Sequence, residues 1–516
     1  MKILQTCWVN NLTKLDAGWF SSKFHFMSWA LSAVSIQKYY PNIELITNNL
    51  GKEILIDKLQ LPYSSISLAQ ENFNPLLPSL WVLRKLYSYT IQDEPFIHID
   101  GDAYLFKPFD KEFLNAQLVA QNYEYNHPYY LQGVKEVMNT CIQVPNYLKQ
   151  DNQEKIAAVN AGIMGGSDTD FFKRLYLDVT LFLEKNKDYL NHLDPFCFNI
   201  FLEQFWFKKL ADTSQISICY QMSQQIGYPH NYQLDRFWDL PNFCDYIHVM
   251  NYKKNQTICE KMAQRLYIES PELYERVVNV SNELEATKVS MFIENKAQTL
   301  EVFFYRTNLI SQQIGLNLNL QNSLESLTEQ INIYPENPQN TILRDAFQYE
   351  LEKYHFIQGL PCVDDYVQYR KRQSLKVNER LSKTDKEILL SSVTFGEYVT
   401  FIESEWKWAE INEFTGQDSD IDYTLNLGQE PSYFQVVLFG YPVSMTVKEQ
   451  LSDTFTIMII DTLQQIESYT LTIQEILENV AQEIYLFNQT ITLNELKTNI
   501  LAKIRFLLYQ GILECQ

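Results

Sequence analysis

Short apolar runs alternate with longer segments of helical periodicity through the first half of the chain. The runs at 2–9 and 43–47 have the pattern of strands, and apolar residues between 24 and 40 recur at the spacing of one helix face. The alternation continues with helices predicted at 79–89, 169–186 and 195–210, and with strands at 96–99, 118–121, 157–168 and 246–254. Strands that alternate with helices in this way predict an α/β domain, in which helices cover both faces of a sheet.

The strand predicted at 96–99 ends abruptly at two carboxylates. Asp100 and Asp102 are separated only by Gly101, and ligands of an open α/β sheet bind beyond the carboxyl ends of its strands. Two carboxylates with this spacing on extended backbone can reach one hard cation such as Mg²⁺ or Mn²⁺. The alternative is an ordinary polar turn, because Asp-Gly is a common turn pair and three-residue patterns recur by chance.

Two stretches interrupt the alternation. Residues 123–149 are rich in Tyr, Asn, Gln and Pro, and we expect a long surface loop there, of the kind that forms an acceptor-binding loop or lid. Residues 333–340 carry two prolines among polar residues, which predicts a linker.

Helical patterns dominate beyond the predicted linker. Two Thr-x-x-Glu sequences, at 472–475 and 492–495, have the spacing of a capping box. We therefore expect a domain at 1–275, a connecting region and linker at 276–340, and a mostly helical α+β domain at 341–516.

The composition narrows the class of protein. A chain of 516 residues with 46% hydrophobic residues is too long for one ordinary core and too apolar for a disordered protein. Its net charge of −21 disfavours non-specific binding to nucleic acid or to an anionic membrane. Eight cysteines without a Cys-x-x-Cys pair fit reduced thiols better than disulfides or a zinc site. Because neither a signal peptide nor an apolar run long enough for a membrane span is visible, we expect a cytoplasmic protein.

The first half of the chain resembles a GT-A glycosyltransferase, and it is closest to the retaining, metal-dependent type that includes glycogenin and the bacterial galactosyltransferases. Residues 96–106 match the Asp-x-Asp strand of that family, and 160–162 (Asn-Ala-Gly) are similar to its Asn-x-Gly at the sugar site. His248 with Lys253 resembles its late His and phosphate-binding Lys, without the Gly and Pro that usually accompany them. Glu203-Gln204 lies near the place of its acidic residue and Gln beside the donor sugar.

The resemblance implies a GT-A fold (a Rossmann-like mixed sheet) and a hexosyltransferase-like reaction in which a nucleotide-sugar donor loses a nucleoside diphosphate. A bound Mn²⁺ or Mg²⁺ would neutralise the charge on that leaving group. Asp100, Asp102 and His248 would hold the metal, and the catalytic set would be Asp100, Asp102, Glu203 and Gln204. The donor would contact Thr6, Trp8, Arg84, Lys85, Asp100, Asn160, Gly162 and Lys253.

Several of these residues also have ordinary structural explanations. Trp8 would stack on the nucleotide base, although a Trp in such a place is more commonly a core residue. Gly162 would permit close approach of a ligand, or would serve a tight crossing of strands. Lys253 would hold a phosphate, or would belong to a solvated Lys-Lys pair. We expect His98 to be structural, with a hydrogen bond inside the sheet.

The C-terminal residues suggest what kind of molecule would accept the sugar. Residues 453–516 faintly resemble a small winged-helix module, and such modules in biosynthetic enzymes can hold a peptide, so a peptide or protein acceptor is conceivable. The alternative is a helical packing or dimerisation domain. Two other functions stay open: a non-catalytic binding protein on a degenerate transferase fold, and a nucleotidyltransferase. The latter usually needs a Gly-rich basic loop after the first strand, whereas residues 7–15 contain no glycine.

Overall fold

The computed structural model describes the chain in thirteen stretches and divides it into two compact units. The described stretches are 1–10, 15–73, 79–149, 156–222, 236–242, 244–285, 299–335, 337–361, 363–408, 431–440, 447–465, 471–487 and 489–515. The first unit comprises Met1–Arg236, Cys244–Lys254 and Glu272–Glu285. The second unit comprises Phe237–Phe243, Asn255–Pro271 and Ala286–Gln516.

A mixed sheet forms the centre of the first unit, and in the described residues it has seven strands. Their order is β3-β2-β1-β4-β7-β6-β8; β3, β2, β1 and β4 are parallel, β7 runs antiparallel to both β4 and β6, and β8 is parallel to β6. The remaining strands, β5 and β9, pair with each other in an antiparallel ribbon. The strands are β1 Lys2–Thr6, β2 Ile43–Ile46, β3 Ser65–Ser67, β4 Phe96–Ile99, β5 Ala103–Leu105, β6 Leu118–Tyr125, β7 Ala157–Gly166, β8 Ile218–Tyr220 and β9 Tyr246–His248.

Helices cover both faces of this sheet, as the alternating pattern predicts. They are α1 Ser22–Gln37, α2 Asn49–Lys52, α3 Val82–Thr90, α4 Lys111–Asn115, α5 Pro128–Thr140, α6 Thr169–Asn186, α7 Pro195–Ile200, α8 Trp206–Ser214 and, after α9 Gln256–Glu269 of the second unit, α10 Pro271–Glu285. A π-helical turn, Phe201–Phe205, joins α7 to α8. Alternate strand residues point to opposite cores: Leu4 and Phe96 pack with α3, α5 and α6, whereas Ile3 and Ile97 pack with α1 and α4.

Some local predictions are confirmed and others are wrong. The Asp168 side chain accepts a hydrogen bond from the Phe171 backbone and begins α6, as its position before the helical pattern suggests. The surface loop expected at 123–149 is wrong: β6 continues to Tyr125, and α5 follows with Pro128 in its first turn. Apolar residues of α5 at helical spacing bury one face against the core, which the polar composition of the segment conceals.

The second unit is rich in helices and also contains strands. Its described helices are α9 Gln256–Glu269, α11 Leu300–Phe303, α12 Tyr305–Gln313, α13 Leu324–Ile333, α14 Pro338–Gly359, α15 Val363–Leu381, α16 Asp385–Ile388, α17 Thr454–Gln464, α18 Ile473–Phe487 and α19 Leu493–Gln510. Its strands are β10 Ser392–Phe395, β11 Val399–Ser404, β12 Phe434–Gly440, β13 Val447–Leu451, β14 Leu471–Thr472 and β15 Leu513–Cys515, which form two three-stranded sheets within the described residues.

Both predicted capping boxes are present at the starts of α18 and α19. Thr472 and Glu475, and likewise Thr492 and Glu495, exchange side-chain and backbone hydrogen bonds. The proline-containing stretch predicted as a linker joins α13 to α14 within this unit, and the Asn337 side chain caps α14. None of the helices in the described residues combines the length and the apolarity that a membrane span requires.

Candidate metal centre

Asp100, Asp102 and His248 come together beyond the carboxyl end of β4, with ligand atoms that all lie within 4.8 Å of one another. The first two follow β4 directly, and the third is brought in by the ribbon, where Ala103 of β5 pairs with His248 of β9. Two backbone hydrogen bonds fix the junction: Asp100 donates to Gly162 at 3.0 Å, and Val249 donates to Asp102 at 3.0 Å. Three strands thus position the three side chains.

Gln121 on β6 orients the imidazole of His248. Its Oε1 lies 2.8 Å from His248 Nδ1 and also accepts the Tyr246 hydroxyl at 2.8 Å. With Nδ1 at Gln121, the other ring nitrogen, Nε2, faces Asp102, whose Oδ2 is 3.4 Å away. Metal-bound histidines typically donate their other ring nitrogen to such a neighbour. The ring is therefore oriented with Nε2 toward Asp102, as a metal ligand at this place would be.

Gly162 makes room for this arrangement. A Cβ at Gly162 would lie 2.3 Å from Gln121 Oε1 and 2.4 Å from His248 Nδ1. The space that we expected a ligand to enter is therefore filled by protein side chains, and the glycine permits the approach of His248 to the sheet.

Asp102 is buried beside two basic groups. Lys253 Nζ lies 2.8 Å from Asp102 Oδ2. Burial raises the pKa of Asp102, but Lys253 and His248 lower it more, so its pKa lies well below the usual range. The carboxyl group is therefore ionised at neutral pH. Its Oδ2 carries the contacts with both basic groups, Lys253 Nζ at 2.8 Å and His248 Nε2 at 3.4 Å.

Lys85 connects Asp100 to a buried carboxyl group. Its Nζ lies 2.8 Å from Asp100 Oδ1 and 2.9 Å from Glu203 Oε1. Burial lowers the pKa of Lys85, but Asp100 and Glu203 raise it well above its ordinary value. Burial raises the pKa of Glu203, and Lys85 offsets part of that effect. Glu203 is completely buried, so it contacts Lys85 without reaching solvent.

Asn160 and Gln204 belong to a second polar network, which includes Glu124 and Tyr130. Asn160 Nδ2 donates to Glu124 Oε1 at 3.1 Å, and its Oδ1 accepts from the Gly162 backbone at 3.0 Å. The Tyr130 hydroxyl contacts Glu124 and donates to Gln204 Oε1 at 2.6 Å. These amide groups are thus held in place by the protein itself.

Thr6, Trp8 and Arg84 lie near the carboxyl end of β1. The guanidinium of Arg84 stacks over the Trp8 ring, 5.4 Å from its centroid, and Phe73 flanks it at 5.5 Å. Thr6 is buried, and its hydroxyl has no hydrogen-bond partner among the described residues. The structure therefore places an aromatic ring, a cation and a buried hydroxyl group in one region of the first unit.

Residues 1–280 match the model of a family of unknown function, DUF6734, and this match covers more than half of the chain. The chain belongs to the DUF6734 family. No sequence among curated proteins matches it.

The triad of this DUF6734 member offers donor atoms that could hold a metal ion. Neighbouring ligands of an octahedral ion, each about 2.1 Å from it, are about 3.0 Å apart, which is close to the 3.4 Å between Asp102 Oδ2 and His248 Nε2. Two carboxylates and one imidazole are ordinary ligands for such an ion. Asp100, Asp102 and His248 could therefore bind a metal ion.

Sequence reasoning about this DUF6734 member missed Gln121, Glu124 and Tyr130. Gln121 is the last residue of the predicted strand 118–121, where nothing marks it as functional, and Glu124 and Tyr130 fall in the segment predicted as a loop. The prediction that His98 makes a hydrogen bond inside the sheet is wrong. His98 is buried as expected, but neither ring nitrogen has a hydrogen bond to the described residues, and burial lowers its pKa to about 3.

Proposed function

We propose that the first unit is a GT-A-like domain that transfers a sugar from a nucleotide-sugar donor with the help of Mn²⁺ or Mg²⁺. The observation that carries this proposal is the cluster of Asp100, Asp102 and His248, with Lys253 beside it. These residues come from two of the motifs on which the resemblance to retaining glycosyltransferases rests. Their meeting at one point of an α/β fold supports that resemblance over chance matches.

In the proposed reaction, the bond between the anomeric carbon and the diphosphate oxygen breaks, and that carbon bonds to an acceptor oxygen. A divalent ion at Asp100, Asp102 and His248 would supply the charge that stabilises the leaving diphosphate. Lys253 would bind the same diphosphate as a point charge. In a retaining reaction, the proton of the acceptor hydroxyl passes to the departing phosphate oxygen, and no side chain has to act as the base.

The buried groups have supporting roles in this proposal. Glu203 is a positioning residue, because it holds the ammonium of Lys85, which in turn contacts Asp100. Gln204 lies half-buried at the edge of the Tyr130 network and would face the donor sugar. Trp8 and Arg84 would accept the nucleotide base on their stacked surface. A peptide or protein acceptor stays a prediction.

Thermal unfolding tests this proposal with a panel of nucleoside diphosphates and nucleotide sugars, each with and without Mn²⁺. Because a ligand that binds only the native state raises the melting temperature, we expect a Mn²⁺-dependent rise with one base. Asp102→Asn should abolish the rise. The matched control Asp93→Asn changes an aspartate whose side chain is 95% exposed, and it should leave the rise intact.

Release of nucleoside diphosphate from the stabilising donor then tests the chemistry. Slow hydrolysis of the nucleotide sugar without an acceptor, lost in Asp102→Asn, is the expected result. If no donor raises the melting temperature in either metal condition, the glycosyltransferase proposal is wrong and the non-catalytic binding protein becomes the better explanation.

A further inference from the structure

Two lysines neutralise the carboxylates that are expected to bind the metal. Lys253 Nζ and Lys85 Nζ each lie 2.8 Å from a carboxylate oxygen, on Asp102 and Asp100 respectively. Two carboxylates alone would present two negative charges to a cation, whereas Lys253 offsets the charge of Asp102 and Lys85, which also pairs with Glu203, offsets part of the charge of Asp100. A free divalent ion therefore meets much less attraction than the acidic pair suggests.

The ammonium of Lys253 competes for the very atom that a metal would use. Asp102 Oδ2 is the oxygen closest to His248 Nε2, at 3.4 Å, and it is also the oxygen that Lys253 contacts. A cation bridging Asp102 and His248 would lie within a few ångströms of that ammonium and would repel it. The metal and the present position of Lys253 thus exclude each other.

Lys253 is the more accessible of the two lysines. Its side chain is 32% exposed and follows the short 3₁₀ turn Met250–Tyr252, whereas the side chain of Lys85 is 7% exposed and is held by two carboxylates. A flexible lysine stem can turn its ammonium toward a phosphate without any change in the backbone. A diphosphate would therefore give Lys253 a new partner at the moment when the metal takes its old one.

We propose that the centre takes a divalent cation and a diphosphate together as one complex, and that Lys253 is a built-in counterion that keeps the free cation weakly bound. The inference takes its ligand class, a diphosphate, from the proposed function. It requires positive coupling: the diphosphate strengthens metal binding, and by reciprocity the metal strengthens diphosphate binding by the same factor.

Electron paramagnetic resonance of Mn²⁺ alone tests the counterion directly, because the free aqueous ion and the bound ion give different signals. We expect the wild-type chain to bind Mn²⁺ weakly and Lys253→Gln to bind it about tenfold more tightly. Lys253→Arg keeps the charge and should stay weak. Lys254→Gln is the matched control, because it removes the same charge from the exposed neighbouring lysine, and it should resemble the wild type.

Equilibrium dialysis with inorganic pyrophosphate tests the coupling. The wild-type chain should retain pyrophosphate about tenfold better with Mn²⁺ than without it, and Lys253→Gln should lose most of this difference. The inference is overturned if Lys253→Gln binds Mn²⁺ no more tightly than the wild type, or if pyrophosphate and Mn²⁺ bind independently.

These results separate the inference from the proposed function. Tight binding of free Mn²⁺ by an enzyme that still hydrolyses a nucleotide sugar would overturn the inference alone. Coupled binding of Mn²⁺ and pyrophosphate, without a response to any nucleotide sugar, would support the inference and overturn the glycosyltransferase.

Discussion

A methyl group at Gly162 would disturb the metal centre without removing any ligand. In Gly162→Ala, the new carbon would meet His248 Nδ1 at 2.4 Å and Gln121 Oε1 at 2.3 Å, whereas ordinary contact begins at 3.4 Å. Both side chains therefore have to move by about 1 Å. Gly162 lies in the middle of β7, and its backbone donates to Asn160 and accepts from Asp100, so the strand itself cannot yield easily.

The size of the effect follows from two separate costs. Overpacking of a closely packed site costs about 1–3 kcal/mol of unfolding free energy. A metal ligand has to stay within about 0.2 Å of its ideal distance, so a movement of about 1 Å would take His248 out of the coordination sphere of a metal bound there. Loss of such orientation weakens metal affinity about 10–100-fold.

Hydrogen exchange of the β7 amides measures the stability of the first unit, and binding of Mn²⁺ in the presence of pyrophosphate measures the metal affinity of the site. Gly162→Ala should lower both the stability and the metal affinity. In a His248→Ala background the same substitution should cost less stability, because one of the two colliding side chains is gone. Gly359→Ala is the control, since no described atom lies within 4 Å of the added carbon. Wild-type stability and Mn²⁺ affinity in Gly162→Ala would refute this account of the site.

Further substitutions test the other contacts. Gln121→Leu removes the acceptor of His248 Nδ1, so Mn²⁺ affinity with pyrophosphate should fall about 10–100-fold while the fold persists; unchanged affinity would mean that Gln121 does not orient the ring. In the second unit, burial raises the pKa of Glu449, but Lys353 and Arg306 lower it further, to about 2. A carboxyl group with a lowered pKa contributes stability above its unfolded value of 4.5, and this contribution is lost as the pH falls toward 2. Glu449→Gln should therefore lower the free energy of unfolding in urea by about 3 kcal/mol at pH 7 and by much less at pH 3. An equal loss at both pH values would contradict the ion-pair account. Glu483 is exposed, so the control Glu483→Gln should change the free energy of unfolding little at either pH.

The sequence predicts the local parts of the site better than their connections. Asp100 and Asp102 are adjacent to a strong apolar run, and the small residues of β7 mark a strand by themselves, so both are visible in a short window. The hydrogen bond between Gln121 and His248 joins residues 127 positions apart, and the pair of Lys85 and Glu203 joins a helix to a π-helical turn. No short pattern encodes such pairings, because they depend on strand order and on which helix face meets which strand.

Short sequence patterns also do not show packing against the core, which explains why the sequence predicts a loop where α5 lies. Its polar and aromatic residues have the composition of a loop, and only three or four buried positions at helical spacing show that it packs. Burial against the core outweighs the weak helix preference of that segment.

The ribbon of β5 and β9 completes the candidate metal centre with a residue that lies far along the chain from the two aspartates. Ala103 and His248 pair across most of the first unit, so closing this contact requires a long loop whose entropy opposes it until the sheet is in place. A nascent chain that ends after β8 contains both aspartates and Gln121, but it does not yet contain His248. High affinity for metal with diphosphate would therefore report on the completed domain, and partly folded chains would leave the cell's supply of the ion untouched.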